Sequence, residues 1–230
     1  MKSNKRVCVL AISVLTILFG SCALSDAPGV NVRTTITSSG NGIAKVRVYI
    51  EGPDGRIVDA ALVQLSESSG TCELLPFDAT ACLYETSRTI PADGLFFVSV
   101  RSVLMEQTYE RTISHLPVGT NPVVTVFADA QGNSVLNGEV LDRTSGLQIA
   151  WESLGDDIVY SLTIRTATSV YHAVNTRALT VLIPEYIVPA AGTCYLSLSA
   201  QRIDGDPLFE TADYHSVASS GSTYVYANFD

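Results

Sequence analysis

The sequence predicts an all-β protein built as two tandem β-sandwich domains that follow a cleaved signal peptide. Short segments rich in Val, Ile, Thr, Tyr and Leu alternate along the 230 residues with clusters of Gly, Pro, Asp and Ser. Such segments at near-regular spacing are typical of β-sandwiches. No long segment repeats its apolar residues with the 3.6-residue period of a helix. The mature chain of about 208 residues is long enough for one large or two ordinary domains.

Residues 1–21 have the three parts of a secretory signal peptide. Three basic residues lie among the first six positions, a largely apolar run follows from Val7 to Phe19, and Gly20 and Ser21 are small. As a helix this run would be about 20 Å long, which is short of the ~30 Å hydrocarbon core of a bilayer. We therefore expect the segment to be removed, and not to remain as a membrane span.

The segment Leu18-Phe19-Gly20-Ser21-Cys22 resembles the lipobox of a bacterial lipoprotein signal. It departs from the usual pattern in one place, since Phe19 stands where Leu is usual. The resemblance implies that Cys22 becomes the lipid-modified first residue, and more than one acyl chain suffices for stable anchoring. By the general rules of lipoprotein sorting, Ala23 favours the outer membrane in a cell that has one. The alternative is a soluble secreted protein cut near Ala23.

The mature chain is strongly acidic. Cleavage removes three basic and no acidic residues, so the net charge falls from −9 to −12, and Lys45 is the only lysine left. Nucleic acids and anionic lipids are bound largely through Lys and Arg, so the composition argues against both as partners. We expect the membrane attachment to be covalent, through Cys22, and the charge to favour solubility and basic partners.

Residues 30–136 are predicted to form the first sandwich, after a flexible tether at residues 22–29. Ala44 to Glu51 alternates apolar and polar residues, Gly52 to Gly55 has turn composition, and Ile57 to Ser66 is expected to return as the hairpin partner. Further strands are expected at Val30–Ser38, Leu83–Thr89, Leu95–Leu104, Tyr109–Ser114 and Val123–Ala128. The hairpin resembles those of immunoglobulin-like and transthyretin-like bacterial domains, and the sequence does not separate the two.

Cys72 and Cys82 are separated by nine residues. In an exported chain, two nearby cysteines favour a disulfide, which would stabilise the fold by about 2–3 kcal/mol in the chain-entropy model. A redox pair usually has the closer Cys-x-x-Cys spacing, and a zinc site would need two more ligands. No histidine lies within thirty residues of the pair. We therefore predict a structural disulfide and no metal site.

Residues 137–230 contain an ordered set of packing residues. The set consists of Trp151, Tyr160, Gly192, Thr193, Tyr195, Ala200 and Gly205. In order and rough spacing it resembles the pattern of a fibronectin type III domain, over about residues 138–216. In that family a Trp ends the second strand, a Tyr lies in the third, and Gly-Thr-x-Tyr opens a later strand. Where the family has Leu-x-Pro before the Gly-Thr, this chain has Val188-Pro189-Ala190-Ala191. The resemblance implies a second β-sandwich, a fold that mostly serves binding and spacing roles.

The tail from Val217 to Asp230 carries Tyr224, Tyr226 and Phe229 on a strand-like run. It is predicted to be either the last strand of the sandwich or an added edge strand. Because tyrosine is enriched at protein interfaces, these three residues form the candidate binding edge.

No catalytic residue, metal ligand or cofactor is predicted. The chain lacks the Gly-x-Ser-x-Gly, His-Glu-x-x-His, phosphate-loop and dinucleotide motifs. Its three histidines lie more than forty residues apart and are expected at the surface or in turns. Cys194 is expected to be a buried and inert residue of an alternating strand.

These observations favour a lipid-anchored, non-enzymatic protein of the cell envelope that acts as a protein-binding or adhesion module. Sandwich domains bind through end loops or through an exposed sheet edge. Two alternatives stay open: a periplasm-facing accessory protein of an envelope assembly, and an envelope hydrolase with an unrecognised site.

Overall fold

The computed structural model describes residues 29–142, 146–166, 169–185 and 192–229. The predicted signal peptide and Cys22 lie outside these ranges. Within them the protein is all-β and of the β-sandwich type, which confirms the predicted fold class. None of the helical segments in these ranges is long and apolar enough to cross a membrane.

The N-terminal half forms two layers around one core. Its strands are β1 (Asn31–Ser39), β2 (Ile43–Glu51), β3 (Leu62–Glu67), β4 (Cys72–Leu74), β5 (Phe77–Asp78), β6 (Leu83–Thr89), β7 (Leu95–Arg101) and β8 (Tyr109–Ser114). One layer has the order β1-β2-β6-β5, and the other has the order β4-β3-β7-β8. Because β2 and β7 alternate, Val46 and Val48 on one side face the same core as Phe96 and Val98 on the other.

The hairpin expected over residues 44–66 is wrong in its pairing. β2 pairs with β1 and β6, whereas β3 pairs with β4 and β7 in the opposite layer. The chain crosses between the layers at residues 58–61, where the Tyr84 hydroxyl accepts a hydrogen bond from the Ala61 N–H (2.8 Å) and donates one to the Val58 carbonyl (3.2 Å). Turn composition after β2 indicated a reversal of the chain, but not the layer to which the chain returned.

The C-terminal half forms a second core. Its elements are β9 (Val124–Asp129), a 3₁₀ turn (Val135–Asn137), β10 (Leu147–Trp151), β11 (Ile158–Arg165), β12 (Val170–Thr176), β13 (Thr180–Ile183), β14 (Gly192–Gly205), β15 (Tyr214–Ser219) and β16 (Thr223–Phe229). The sheet β13-β10-β9 packs against β12-β11-β14-β16. Trp151 and Tyr160 lie at the centre, with ring centroids 5.4 Å apart. The tail ends as β16, which pairs with the first half of β14.

The two cores draw on separate parts of the chain, residues 32–113 and residues 118–227. β9 pairs with β10, and Phe127 is buried in the C-terminal core. The division into domains at 30–136 and 137–230 stays a proposal, and these cores favour a boundary that lies before Val118.

A single nine-stranded sheet joins the two cores. β14 is 14 residues long, and its last part pairs with β15 after its first part has paired with β16. β15 in turn pairs in parallel with β1, from Thr34 opposite Tyr214 to Ser39 opposite Ser219. The β14–β15 hairpin therefore runs down the side of the N-terminal core and fixes one core against the other.

Candidate binding surface

The C-terminal sheet has one buried and one outward face, because its strands alternate. Cys194, Leu196 and Leu198 on β14 are fully buried in the core. The residues between them, Tyr195 and Ser197, lie on the opposite face and are partly exposed. Side chains two positions apart on a strand share a face. The residues paired with Tyr195 and Ser197 on neighbouring strands therefore also point outward.

The strand register brings aromatic residues from β14 and β16 together on that outward face. Tyr195 lies opposite Tyr226 on β16 and opposite Arg165 on β11. One step along the sheet, Ser197 lies opposite Tyr224. We call the four residues Arg165, Tyr195, Tyr224 and Tyr226 the tyrosine face.

The rings of the tyrosine face are close enough to form one surface. The ring centroid of Tyr195 is 6.3 Å from that of Tyr224 and 5.9 Å from that of Tyr226. The guanidinium carbon of Arg165 lies 5.1 Å from the Tyr195 ring centroid, within cation–π range. Tyr224 is 57% exposed and Tyr226 is 69% exposed. The surface is thus aromatic, open to solvent and positively charged at one side.

This arrangement has the chemistry of a protein-binding surface. Tyr and Arg are enriched among the residues that dominate binding energy at interfaces. A tyrosine ring offers a large contact area with few rotatable bonds, and small polar residues around it supply adaptable hydrogen bonds. Ser197 and Thr163 lie opposite each other within the same face and provide such a polar surround.

Two of the three residues of the predicted binding edge belong to this face. Tyr224 and Tyr226 are exposed on it, whereas Phe229 ends β16 opposite Gly192 and its side chain is outside what the structure describes. The sequence analysis missed Arg165, and it assigned Tyr195 only a packing role. The alternation of Tyr195 with the buried Cys194 and Leu196 is the signal that could have placed its ring on the outward face.

The predicted disulfide is not formed in this structure, and the described part of the chain contains none. Cys72 lies in β4, which pairs with β3, whereas Cys82 precedes β6 in the opposite layer. The Cys82 thiol donates to the carbonyl of Ala79, 3.6 Å away. The spacing of the two cysteines therefore did not identify the layer to which each belongs. The lipidation site, Cys22, is outside the described residues.

The sequence analysis was wrong about the position of His115. We expected it at the surface or in a turn, but it is 1% exposed. Its Nδ1 lies 2.8 Å from the Ser216 hydroxyl and its Nε2 lies 2.9 Å from the Ser38 hydroxyl. Burial lowers the pKa of His115 to about 4, so the ring is neutral at pH 7, with one nitrogen donating and the other accepting.

The His115 cluster joins the two cores. Ser38 belongs to β1 and Ser216 to β15, so the histidine bridges both strands of the parallel pair. Four residues earlier in the chain, Arg111 on β8 forms an ion pair with Asp213, which precedes β15, with Nη2 and Oδ2 2.5 Å apart. We call the residues Ser38, Arg111, His115, Asp213 and Ser216 the polar junction. Since His115 is closed to solvent, the Ser–His contacts are structural and cannot meet a substrate.

Cys194 is fully buried, as expected, and burial raises the pKa of its thiol to about 12. A thiol with that pKa is not a nucleophile at neutral pH. Across the ranges that the structure describes, no three His, Cys, Asp or Glu side chains converge as metal ligands would.

Comparisons with known proteins give limited information. No protein-family model matches the sequence, and no curated protein matches it. Among solved structures, a cytokine receptor complex is similar, with 9% identity, a TM-score of 0.40 and coverage of 85% of this chain and 95% of that chain.

Two further structures are similar at lower TM-scores. The BSP domain of a biofilm-associated protein has 14% identity and a TM-score of 0.28, and the match covers 84% of this chain and 29% of that chain. The human OSCAR ligand-binding domain has 10% identity and a TM-score of 0.28, with coverage of 86% and 99%. At identities and TM-scores this low, the likeness carries no argument about function.

Proposed function

We propose that this chain is a lipid-anchored, non-enzymatic protein of the cell envelope that binds a protein partner through its tyrosine face. The observation that carries the proposal is the contiguous surface of Tyr195, Tyr224 and Tyr226 on a solvent-facing sheet. The signal sequence and Cys22 support the location. The polar junction supports a rigid carrier for that surface, since it fixes the two cores together.

The chemistry of the face defines the partner that it fits. A flat aromatic surface of this kind suits the exposed apolar centre of a folded protein. The net charge of −9, which would be −12 after signal cleavage, favours a partner whose surrounding surface is basic. Arg165 lies against the Tyr195 ring and holds it in place before the partner arrives.

Site-specific photo-crosslinking in the native cells tests the proposal. A photoreactive phenylalanine analogue at position 224 should crosslink one protein reproducibly, because Tyr224 is 57% exposed and lies beside Tyr195 on the proposed contact surface. The matched control is the same analogue at Leu182, which is 74% exposed and lies on the other sheet of the C-terminal core. Equal crosslinking from both positions, or none from position 224, would contradict the assigned surface.

The crosslinked protein is then purified and its affinity measured against Y224S/Y226S. Loss of two aromatic anchors is expected to weaken binding by roughly tenfold or more. The control variant Ser199→Ala, on the same face beyond the rings, should bind as the parent does. If both variants bind like the parent, the crosslink reports proximity only, and the tyrosine face is not the binding surface.

Protease treatment of intact cells separates the two binding roles. Digestion of the protein on intact cells would favour an adhesion module that faces outward. Protection until the cells are lysed would favour the second candidate, an accessory protein of an envelope assembly.

Lipidation is tested by labelling cells with a palmitate analogue. Label should enter the parent protein and be absent from Cys22→Ala, whose precursor should also keep its signal. A labelled C22A variant would contradict lipidation at this residue.

A further inference from the structure

Strand directions bring the start of the described chain and two connecting loops to one end of the N-terminal core. β1 begins at Asn31 opposite the last residue of β2, Glu51. β7 runs antiparallel to β3 and ends at Arg101, opposite Leu62. Gly29 packs against the β2–β3 connection, where a Cβ on it would fall 2.4 Å from the Pro53 Cβ. We call this end, with residues 29–31, 52–56 and 101–109, the entry end.

An apolar loop tip protrudes at the entry end. We expected a strand to continue to Leu104, but β7 ends at Arg101 and the chain turns outward. Val103 is 96% exposed and Leu104 is 53% exposed. The tip is ordered, since the Met105 N–H donates to the Ser102 carbonyl (3.1 Å) and the Leu104 N–H to the Ser102 hydroxyl (3.3 Å). The Met105 side chain packs against the core and fixes the loop from below.

A second apolar tip lies at the same end. β15 runs parallel to β1, so the turn that precedes it, residues 206–213, falls near the start of β1. The Thr34 N–H donates to the Asp213 carbonyl (2.9 Å), and Arg111 on β8 pairs with the Asp213 carboxylate. This turn presents Leu208, which is 72% exposed.

The second tip is held in a fixed shape by Asp206. Its carboxylate accepts hydrogen bonds from the backbone N–H groups of Leu208 (2.9 Å), Glu210 (2.8 Å) and Thr211 (2.7 Å). These bonds lower the pKa of Asp206 to about 2, so the group is ionised under all physiological conditions. A fixed turn with an aliphatic side chain at its outermost position keeps that side chain in water unless another surface covers it.

We infer that the entry end is a membrane-contacting surface, with Val103, Leu104 and Leu208 inserted into the interfacial layer of the bilayer. The inference rests on the lipid anchor of the proposed function. Six residues lie between Cys22 and Gly29, so the seven Cα–Cα steps from one to the other span about 25 Å at most. A lipid on Cys22 therefore keeps the entry end close to the membrane. Covering these aliphatic side chains with lipid removes apolar surface from water.

The charges around the tips select the lipid. Glu106 follows the first tip and Arg101 precedes it, Asp206 and Glu210 flank Leu208, and Arg56 lies in the 52–56 loop of the same end. Charges of both signs without a basic cluster give little attraction to anionic lipids, so the entry end suits a zwitterionic bilayer. Insertion would also orient the protein, with the N-terminal core at the membrane and the tyrosine face in the C-terminal core further away.

Fluorescence quenching by brominated lipid tests the inference on the full chain. Val103→Trp and Leu208→Trp are made separately, expressed from Met1, purified from membranes and reconstituted into phosphatidylcholine vesicles. Bromine atoms are placed about 5–10 Å below the headgroups, the depth that interfacial apolar side chains reach. The native Trp151 is 3% exposed and gives the same background in every variant.

The expected result is that both tip variants lose most of their added emission on brominated vesicles and shift to shorter wavelength. Leu182→Trp is the matched control, since Leu182 is 74% exposed but belongs to the C-terminal core. It should lose no more emission than the parent protein. If the tip variants are anchored to the vesicles and the emission of either falls no further than that of L182W, the inference is overturned.

A second arm separates this inference from the lipid anchor. Residues 23–230 of each variant carry an N-terminal hexahistidine and are held on vesicles that contain nickel-chelating lipid, so no acyl chain is needed. Quenching of both tips here supports the inference even if Cys22→Ala leaves palmitate labelling unchanged and the anchor proposal fails. If the full chain is anchored and the tips stay unquenched in both arms, the inference fails and the anchor stands.

Discussion

The tyrosine face and the polar junction each contain one arginine, but the two sets differ in exposure. In the tyrosine face Arg165 lies over the ring of Tyr195, and in the polar junction Arg111 pairs with Asp213 while His115 contacts two serine hydroxyls. Tyr224 and Tyr226 are more than half exposed, whereas His115 is 1% exposed. We assign different roles to the two sets on the ground of this difference in solvent access. A buried set of this kind joins parts of the fold, and an exposed set is available to a partner.

Replacement of His115 by alanine should have the largest effect on stability. The change opens a cavity and leaves the hydroxyls of Ser38 and Ser216 without their partner, so we expect a loss of about 4 kcal/mol. Urea unfolding measures it. His215→Ala is the matched control, because His215 is partly exposed on the adjoining strand, and it should change stability far less. Equal effects would mean that the junction is not centred on His115.

The same histidine predicts how stability depends on pH. The folded-state pKa of His115 is about 4, below the unfolded value of 6.5, so the unfolded state binds more protons in this range. Stability should therefore fall as pH decreases from 6.5 to 4, by up to about 3 kcal/mol from this group. His115→Gln removes that contribution. Between pH 6.5 and 4, the free energy of unfolding of the variant should therefore fall less steeply than that of the parent, as measured by urea unfolding at each pH. Identical pH profiles would show that the ring titrates normally.

Removal of the Asp213 carboxylate should have an intermediate effect. Asp213→Ala leaves Arg111 without its ion-pair partner where the two side chains are 29% and 16% exposed, so we expect a loss of about 2 kcal/mol. Asp157→Ala is the control, because that aspartate pairs with Arg202 but is 58% exposed. It should cost less than about 1 kcal/mol. A larger loss of stability in D157A than in D213A would contradict the expectation that the more buried ion pair contributes more.

Changes on the tyrosine face should have the smallest effect on stability. The double variant Y224S/Y226S removes exposed rings from an outward face, and we expect its free energy of unfolding to stay within about 1 kcal/mol of the parent. Binding of the crosslinked partner is expected to weaken at the same time. A large loss of stability would indicate that the rings serve the fold, as the residues of the polar junction do.

Local patterns predicted the strands well, but not their partners. The alternation from Ala44 to Glu51 matches β2, and the alternation after Thr193 matches β14. The layer of β3 and the partner of β15 depend on contacts between distant segments, about which a period-two pattern says nothing. His115 continues the buried parity of Ile113 and could have been predicted as a core residue on that ground.

The candidate site was predictable in part for the same reason. Tyr224 and Tyr226 are two positions apart and share a face in any strand, so the sequence was enough to predict that they lie side by side. Their neighbour Tyr195 lies about thirty residues earlier, and only the register of β14 with β16 brings it into contact. Arg165 needs the β11 register as well. Neither register is encoded in a local motif.

The parallel pairing of β1 with β15 also bears on biogenesis. Thr34 and Tyr214 lie 180 positions apart, so the second edge of β1 has no partner until nearly the whole chain has been delivered. Contacts this distant slow folding, and an open edge invites pairing with other chains in the meantime. The N-terminal core would thus have one edge of β1 exposed until β15, near the end of the chain, pairs with it. Chains that terminate before residue 214 should therefore accumulate as aggregates.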